Sequence, residues 1–191
     1  MKQSEEFLKG EGKAWLARNI DKLTGENDPV LEAIEKYKLE LKDVLEVGCA
    51  NGWRVDIMEK MYGAHCVLGL DPGGIGKIMR GTAAHLPIAE GTVNGLIYGW
   101  CLYLCDPEDY FQIAKEGDRV LRDGGYLIVY DFNADSPFKT KYKHREGLWS
   151  YHFDFANLWL SSPAYSVYGR TVQDETRVTI LKKNTNCWDE K

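Results

Sequence analysis

The stretch that most constrains this chain is Leu45-Glu46-Val47-Gly48-Cys49-Ala50-Asn51-Gly52-Trp53. An apolar run from Asp43 meets an acid at Glu46, glycines follow at 48 and 52, and a helical pattern then covers Arg54–Met61. A strand entering a glycine loop and then a helix leaves unpaired N–H groups at the helix start, and glycine lets a ligand approach the backbone closely. The loop lacks the G-x-G-x-x-G spacing of a dinucleotide site, because no glycine stands between Gly48 and Gly52 to receive a pyrophosphate. Glu46 is also poor company for phosphates. It suits a ligand that carries an amine and a positive sulfur.

The rest of the chain alternates in the same way. Short apolar runs at Asp43–Val47, Cys66–Leu70, Gly95–Gly99 and Tyr126–Asp131 suit buried parallel strands, with helices predicted over Arg54–Met61 and Glu108–Leu121. Asp123-Gly124-Gly125 marks a turn into a strand. Tyr165–Val172 and Thr176–Lys182 flank Gln173-Asp174 as an antiparallel hairpin closing the sheet edge. This is the pattern of a doubly wound α/β sheet. The first forty residues read as a helical cap, with Phe7, Leu8, Trp15, Leu16, Ile20, Val30, Leu31, Ile34 and Tyr37 as apolar positions. Asp28 and Pro29 are the N-cap and first residue of one of its helices. At 191 residues, one domain spanning 1–191 is expected. Asp71 ends the second strand 25 residues after Glu46, where a carboxylate accepts hydrogen bonds from ribose hydroxyls.

Charge and composition narrow the partners. With 24 Lys+Arg against 29 Asp+Glu the net charge is -5, which argues against a chain built to grip nucleic-acid backbone. No apolar run is long enough for a membrane span, and the opening Met1-Lys2-Gln3-Ser4-Glu5-Glu6 has no leader character, so a cytoplasmic protein is expected. The five cysteines (Cys49, Cys66, Cys101, Cys105, Cys187) read as free thiols. Four histidines without H-x-x-x-H, and cysteines without C-x-x-C, give no metal site.

Four motifs in order give a more specific reading. Glu46-x-Gly48-x-x-x-Gly52 resembles the first motif of Rossmann-like, class I S-adenosylmethionine-dependent methyltransferases. Val67–Pro72 (VLGLDP) resembles their second, Gly81–Gly99 the segment G-D-A-x-x-L-P-F-x-D-x-S-F-D-x-V, and Asp118–Phe132 the R-V-L-K-P-G-G stretch entering strand five. The resemblance covers residues 43 to 132 and implies a mixed sheet of about seven strands, order 3-2-1-4-5-7-6, with the seventh antiparallel. It implies that S-adenosylmethionine is the cofactor and S-adenosylhomocysteine its product. Gly48, Cys49 and Ala50 would pass their backbone beside its methionine and ribose, and Asp71, followed by Pro72, would hold the ribose. Thr82 and Ala83 would border the adenine, Ala83 through its N–H, and Gly99 would turn a carbonyl toward the amine. This chain departs from the family at Thr82, where an acid is common, and in the nine residues Pro72–Arg80, which shrink a whole helix to about a turn.

Gly10–Asn19 (GEGKAWLARN) resembles the leader of small bacterial methyltransferases linked to surface-sugar biosynthesis, in which a tryptophan and an Arg-Asn pair close over the cofactor. By that resemblance Arg18 pairs with the cofactor carboxylate. Residues 136–169 form an insertion rich in Tyr, Trp, Phe and His, where an acceptor would enter. Phe155, Leu158 and Trp159 suit core packing. His144 is the first candidate for a general base, His152 the second and Asp131, at the strand-five end, the third. Tyr98-Gly99-Trp100-Cys101 lacks the Asn/Asp-Pro-Pro-Tyr stretch of adenine N6 or glutamine methylation, and Cys101 lacks the proline that precedes a pyrimidine-methylating nucleophile. The expected acceptor is a small molecule or sugar-type compound methylated at oxygen. The rivals are a non-catalytic cofactor-binding module, and an RNA or protein methyltransferase using the basic string Lys139, Lys141, Lys143, Arg145.

Overall fold

The computed structural model describes residues 2–62 and 66–184. Cys187 lies outside them. In chain order the strands are β1 (Asp43–Val47), β2 (Cys66–Asp71), β3 (Met79–Arg80), β4 (Val93–Gly99), β5 (Leu121–Phe132), β6 (Phe138–Lys141), β7 (Trp149–His152), β8 (Tyr165–Gln173) and β9 (Thr176–Lys183). Seven of them form one sheet in the order β3-β2-β1-β4-β5-β9-β8, and β6 with β7 makes a separate ribbon. The first five are parallel, and β9 runs antiparallel between β5 and β8. This is the expected 3-2-1-4-5-7-6 arrangement, renumbered because the ribbon intervenes.

The helices are α1 (Gln3–Glu6), α2 (Gly12–Asn19), α3 (Pro29–Lys36), α4 (Trp53–Tyr62), α5 (Tyr110–Val120) and α6 (Asn157–Leu160). Strand side chains alternate between faces. Leu45, Val47, Leu96, Tyr98, Leu127 and Val129 therefore pack in one core with Ile113, Val120 and Trp159. Val44, Ile97 and Ile128 point the other way, into a core with Val30, Ile34 and Met58. Strands buried on both faces explain the continuous apolar runs. Every residue of β4 is buried.

Local chemistry fixes the ends. Asp28 caps α3, its carboxylate accepting from the Leu31 N–H at 2.9 Å, with Pro29 in the first turn as expected. After β2 the chain makes only turns, through Gly74 N–H to Asp71 O and Ile78 N–H to Ile75 O, both 3.0 Å, before β3 begins. Asp123-Gly124-Gly125 lies inside β5 rather than ahead of it. Val93 pairs with Leu121 but Gly95 with Tyr126, so the strand bulges there, and Gly124 takes φ +73°.

The N-terminal cap runs from α1 through one π-helical stretch, Phe7–Glu11, into α2. Both Asp106 carboxylate oxygens hold it, accepting from Gln3 and Ser4 N–H at 3.0 and 3.1 Å. Gly12 rests on the turn after β2, where a Cβ would come within 2.7 Å of Gly73 N. The 136–169 insertion divides in two. Its ribbon clasps the cap: Arg145 pairs with Glu6, and the Tyr142 hydroxyl donates to Glu11 at 3.0 Å. Its second half is core. The Trp159 ring lies 5.1 Å from Tyr98, and its Nε1–H donates to Ala114 O at 3.1 Å. Trp159→Ala should therefore cost about 3–5 kcal/mol of stability by urea denaturation, the range for removing a buried aromatic side chain. A loss below about 1 kcal/mol would show that the insertion is not part of the core.

Candidate active site

A cleft with two lobes opens beyond the carboxyl ends of β1, β2 and β4, with Trp15, Gly48 and Trp100 in the wall of both. In an open α/β sheet this is where ligands bind. Gly48 turns the chain with φ +78°, its N–H donating to Leu70 O at 2.8 Å. A Cβ at Gly48 would lie 2.4 Å from Cys101 Cβ, so the side chain of Cys101, as well as any ligand, requires the glycine. Ala50 also takes a left-handed φ, +54°, which turns its N–H to Asp71 Oδ2 at 3.0 Å. Asp71 Oδ1 accepts from Gly73 N–H at 2.7 Å. Burial pushes the Asp71 carboxyl up, against the pull of these two donors. Each of its oxygens keeps a lone pair for a further donor. Pro72, Thr82 and Ala83 line the same lobe.

The second lobe is lined by Glu46, Cys49, Ala50 and Gly99 and by residues that the sequence reading did not assign to a ligand: Asp28, Arg54 and Tyr130. Arg54 joins Asp28 to Glu46. Its Nη1 donates to Glu46 Oε1, while Glu46 Oε2 is buried and has no hydrogen-bond partner among the described residues. Burial holds the Glu46 carboxyl above its ordinary range, with the Arg54 charge opposing. Burial works against the Arg54 charge too, but Glu46 and Asp28 keep it protonated. A sequence signal did exist: an arginine in the first turn after a glycine loop, eight residues from Glu46, is placed to reach back to the strand end.

The structure brings the expected cofactor residues together, with one exception. Arg18 pairs with Glu11 and with the Tyr142 hydroxyl, the latter at 3.0 Å, and lines neither lobe. Its neighbours Trp15 and Asn19 do line the cleft. None of the three proposed bases is among the residues lining either lobe. His144 is exposed on the ribbon's loop, with its ring edge against Tyr142 at 5.4 Å, and it lines neither lobe. His152 is buried between Phe132 and Phe138, centroids 4.3 and 4.4 Å away, with Nε2 bonded to Ser150 Oγ at 2.9 Å. Burial lowers its pKa. Asp131 anchors the turn behind Trp100, accepting from Tyr103 and Phe132 N–H at 3.2 and 2.8 Å. These roles follow from burial. A group packed under aromatic rings serves the fold first. All four residues of the basic string are exposed; Arg145 is paired with Glu6 and Lys139 sits over the Trp149 ring at 4.2 Å. Burial raises the thiols of Cys101 and Cys105, as suits packing residues.

Asp131 has a measurable signature. Burial pushes its carboxyl up to about 7 against its backbone donors. Its unfolded value is near ~3.9, so between that pH and about 7 the folded state holds the extra proton, and stability falls as pH rises. Asp131→Asn should remove that slope. The urea midpoint of wild type minus variant should therefore decrease from pH 5 to pH 7.5. A difference independent of pH would contradict the assignment.

Residues 45–129 match the family described as "Methyltransferase domain". A malonyl-[acyl-carrier protein] O-methyltransferase of Coxiella burnetii is 26% identical over 141 residues, covering 65% of this chain and 48% of that protein. The chain thus spans about half the length of this curated relative. A Burkholderia thailandensis 1,6-didemethyltoxoflavin-N1-methyltransferase, solved with its acceptor and S-adenosylhomocysteine, superposes with TM-score 0.75 at 16% identity, over 94% of this chain and 88% of that one. An S-adenosylmethionine-dependent methyltransferase of Mesorhizobium loti gives 0.61 at 12% identity, over 82% and 99%. Motif order, sheet order and these matches agree: residues 45–129 are similar to a methyltransferase domain, carried on the Rossmann-like fold of those solved structures.

Proposed function

We propose that this chain, working as one domain over 1–191, transfers a methyl group from S-adenosylmethionine to a small or sugar-type acceptor at oxygen. The observation that carries the reading is the pairing of Asp71, with a lone pair free on each oxygen, and Glu46, with one oxygen unpartnered, across the Gly48–Ala50 loop. A nucleoside with an ammonium-bearing tail fits both. Asp71 would accept from the ribose hydroxyls, the Ala83 N–H would meet the adenine edge, and Glu46 with the Gly99 carbonyl would receive the ammonium. S-adenosylmethionine supplies a methyl group on a positive sulfur, ready for in-line displacement.

The protein's own contribution is alignment and exclusion of water. Phe7, Trp15 and Trp100 wall the cleft, and the cap is held over it by Asp106 and the ribbon. That enclosure favours a small acceptor, one ring face of which would rest on Trp15 or Trp100. Asp28 is engaged by Arg54, and in this reading Glu46 and Asp71 are taken up by the bound nucleoside, so none of the three is left for the acceptor's proton. The reading therefore favours an oxygen that ionises easily, carboxylate or acidic hydroxyl, for which alignment suffices. The O-methyltransferase activity of the Coxiella relative supports oxygen, and the small acceptor of the Burkholderia enzyme supports size. With the basic string partly engaged and a net charge of -5, an RNA acceptor is disfavoured.

S-adenosylhomocysteine should bind in calorimetry and raise the melting temperature. Asp71→Ala should weaken that binding by roughly 1.5–3 kcal/mol, the scale of hydrogen bonds to a charged group. Heat with NAD but none with S-adenosylhomocysteine would overturn the reading.

A further inference from the structure

Arg54 lies in the first turn of α4 with its side chain almost wholly buried, and its guanidinium is divided between two distant carboxylates. Nε and Nη2 donate to Asp28 Oδ1 and Oδ2 at 3.0 and 2.8 Å, and Nη1 donates to Glu46 Oε1. Formally, two acids and one base leave one negative charge in the wall of the second lobe. The bare acceptor there is Glu46 Oε2, which has no partner among the described residues. A buried charge without compensation is costly, and a cation arriving in the lobe relieves the cost.

We infer that Arg54, braced by Asp28, is a positioning residue that sets which oxygen of Glu46 meets the cationic head of the bound nucleoside's amino-acid tail. By taking Oε1 it leaves Oε2 as the receptor. The setting is rigid. A Cβ at Gly99 would lie 2.7 Å from Glu46 Oε1 and 2.9 Å from Arg54 Nη1, so the end of β4 packs directly on the pair. Asp28 is itself fixed as the cap of α3 by the Leu31 N–H. The bidentate grip requires the planar fork of arginine, because a lysine presents a single point charge. The same network ties Asn27-Asp28-Pro29, which lines this lobe, to the glycine loop. Recognition of the tail is thereby coupled to the start of α3.

This inference rests on the functional reading above, and a pair of ligands separates the two. S-adenosylhomocysteine carries the amino-acid tail; 5′-methylthioadenosine keeps the adenosine and thioether but lacks that tail. Calorimetry on wild type, Arg54→Lys and Asp28→Asn with both ligands is the test. In Arg54→Lys the affinity for S-adenosylhomocysteine should fall about tenfold or more, while that for 5′-methylthioadenosine stays within about twofold. Asp28→Asn keeps a capping residue, so it should show the same selective loss in milder form. Equal losses for both ligands would mean a merely structural role, and unchanged affinities would mean no role; either overturns the inference. If Arg54→Lys does not fold, Asp28→Asn decides alone, and a ligand preference equal to wild type overturns it. Wild type that binds neither ligand overturns the functional reading, and the inference with it.

Discussion

The bridge from Asp28 through Arg54 to Glu46 is the interaction on which the rest of the cleft depends. It joins the start of α3, the helix after the glycine loop and the end of the first strand. Removing the arginine would leave two buried carboxylates without their partner, at a cost of several kcal/mol. A buried ion pair is seldom the cheapest way to stabilise a fold. Here the geometry gives it another use, since it leaves one acceptor of Glu46 bare beside the cleft.

The other end is set by backbone. Asp71 is held by N–H groups from the loop after β1 and the turn after β2, so its carboxylate registers the two strand ends against each other. The missing helix after β2 is compensated by the cap: Gly12 packs on Gly73, and Arg80 donates to Leu8 O from the short edge strand. The ribbon then locks the cap through Glu6 and Glu11, two carboxylates that are themselves buried. Cap, shortened turn and ribbon form one device, and each makes sense only with the others.

What the sequence made legible follows from how local each signal is. The strand positions, the glycine loop, Asp71 at a strand end, Asp28 as a cap and the terminal hairpin rest on local residue types or on hydrophobic period and read directly from them, whereas the strand order came from the resemblance to the methyltransferase family. The base assignments rested on residue type plus approximate position, and none of the three residues lines the cleft. Position along an insertion says nothing of which way a ribbon faces, so exposed His144 and stacked His152 could not be told apart. Arg18 found Glu11 seven residues earlier, a partner whose burial the sequence does not reveal. Arg54 stands eight residues after Glu46, within local reach of it, but its pairing with Asp28 spans 26 residues and has no local signal, since a helix cap already explains the aspartate.

The most direct measurement is a crystal structure of the protein grown with S-adenosylhomocysteine. The account predicts ribose hydroxyls on the Asp71 carboxylate, adenine beside Thr82 and Ala83, and the amino group within hydrogen-bonding distance of Glu46 Oε2. A nucleoside bound elsewhere, or one whose amino group turns away from Glu46 into solvent, would contradict it.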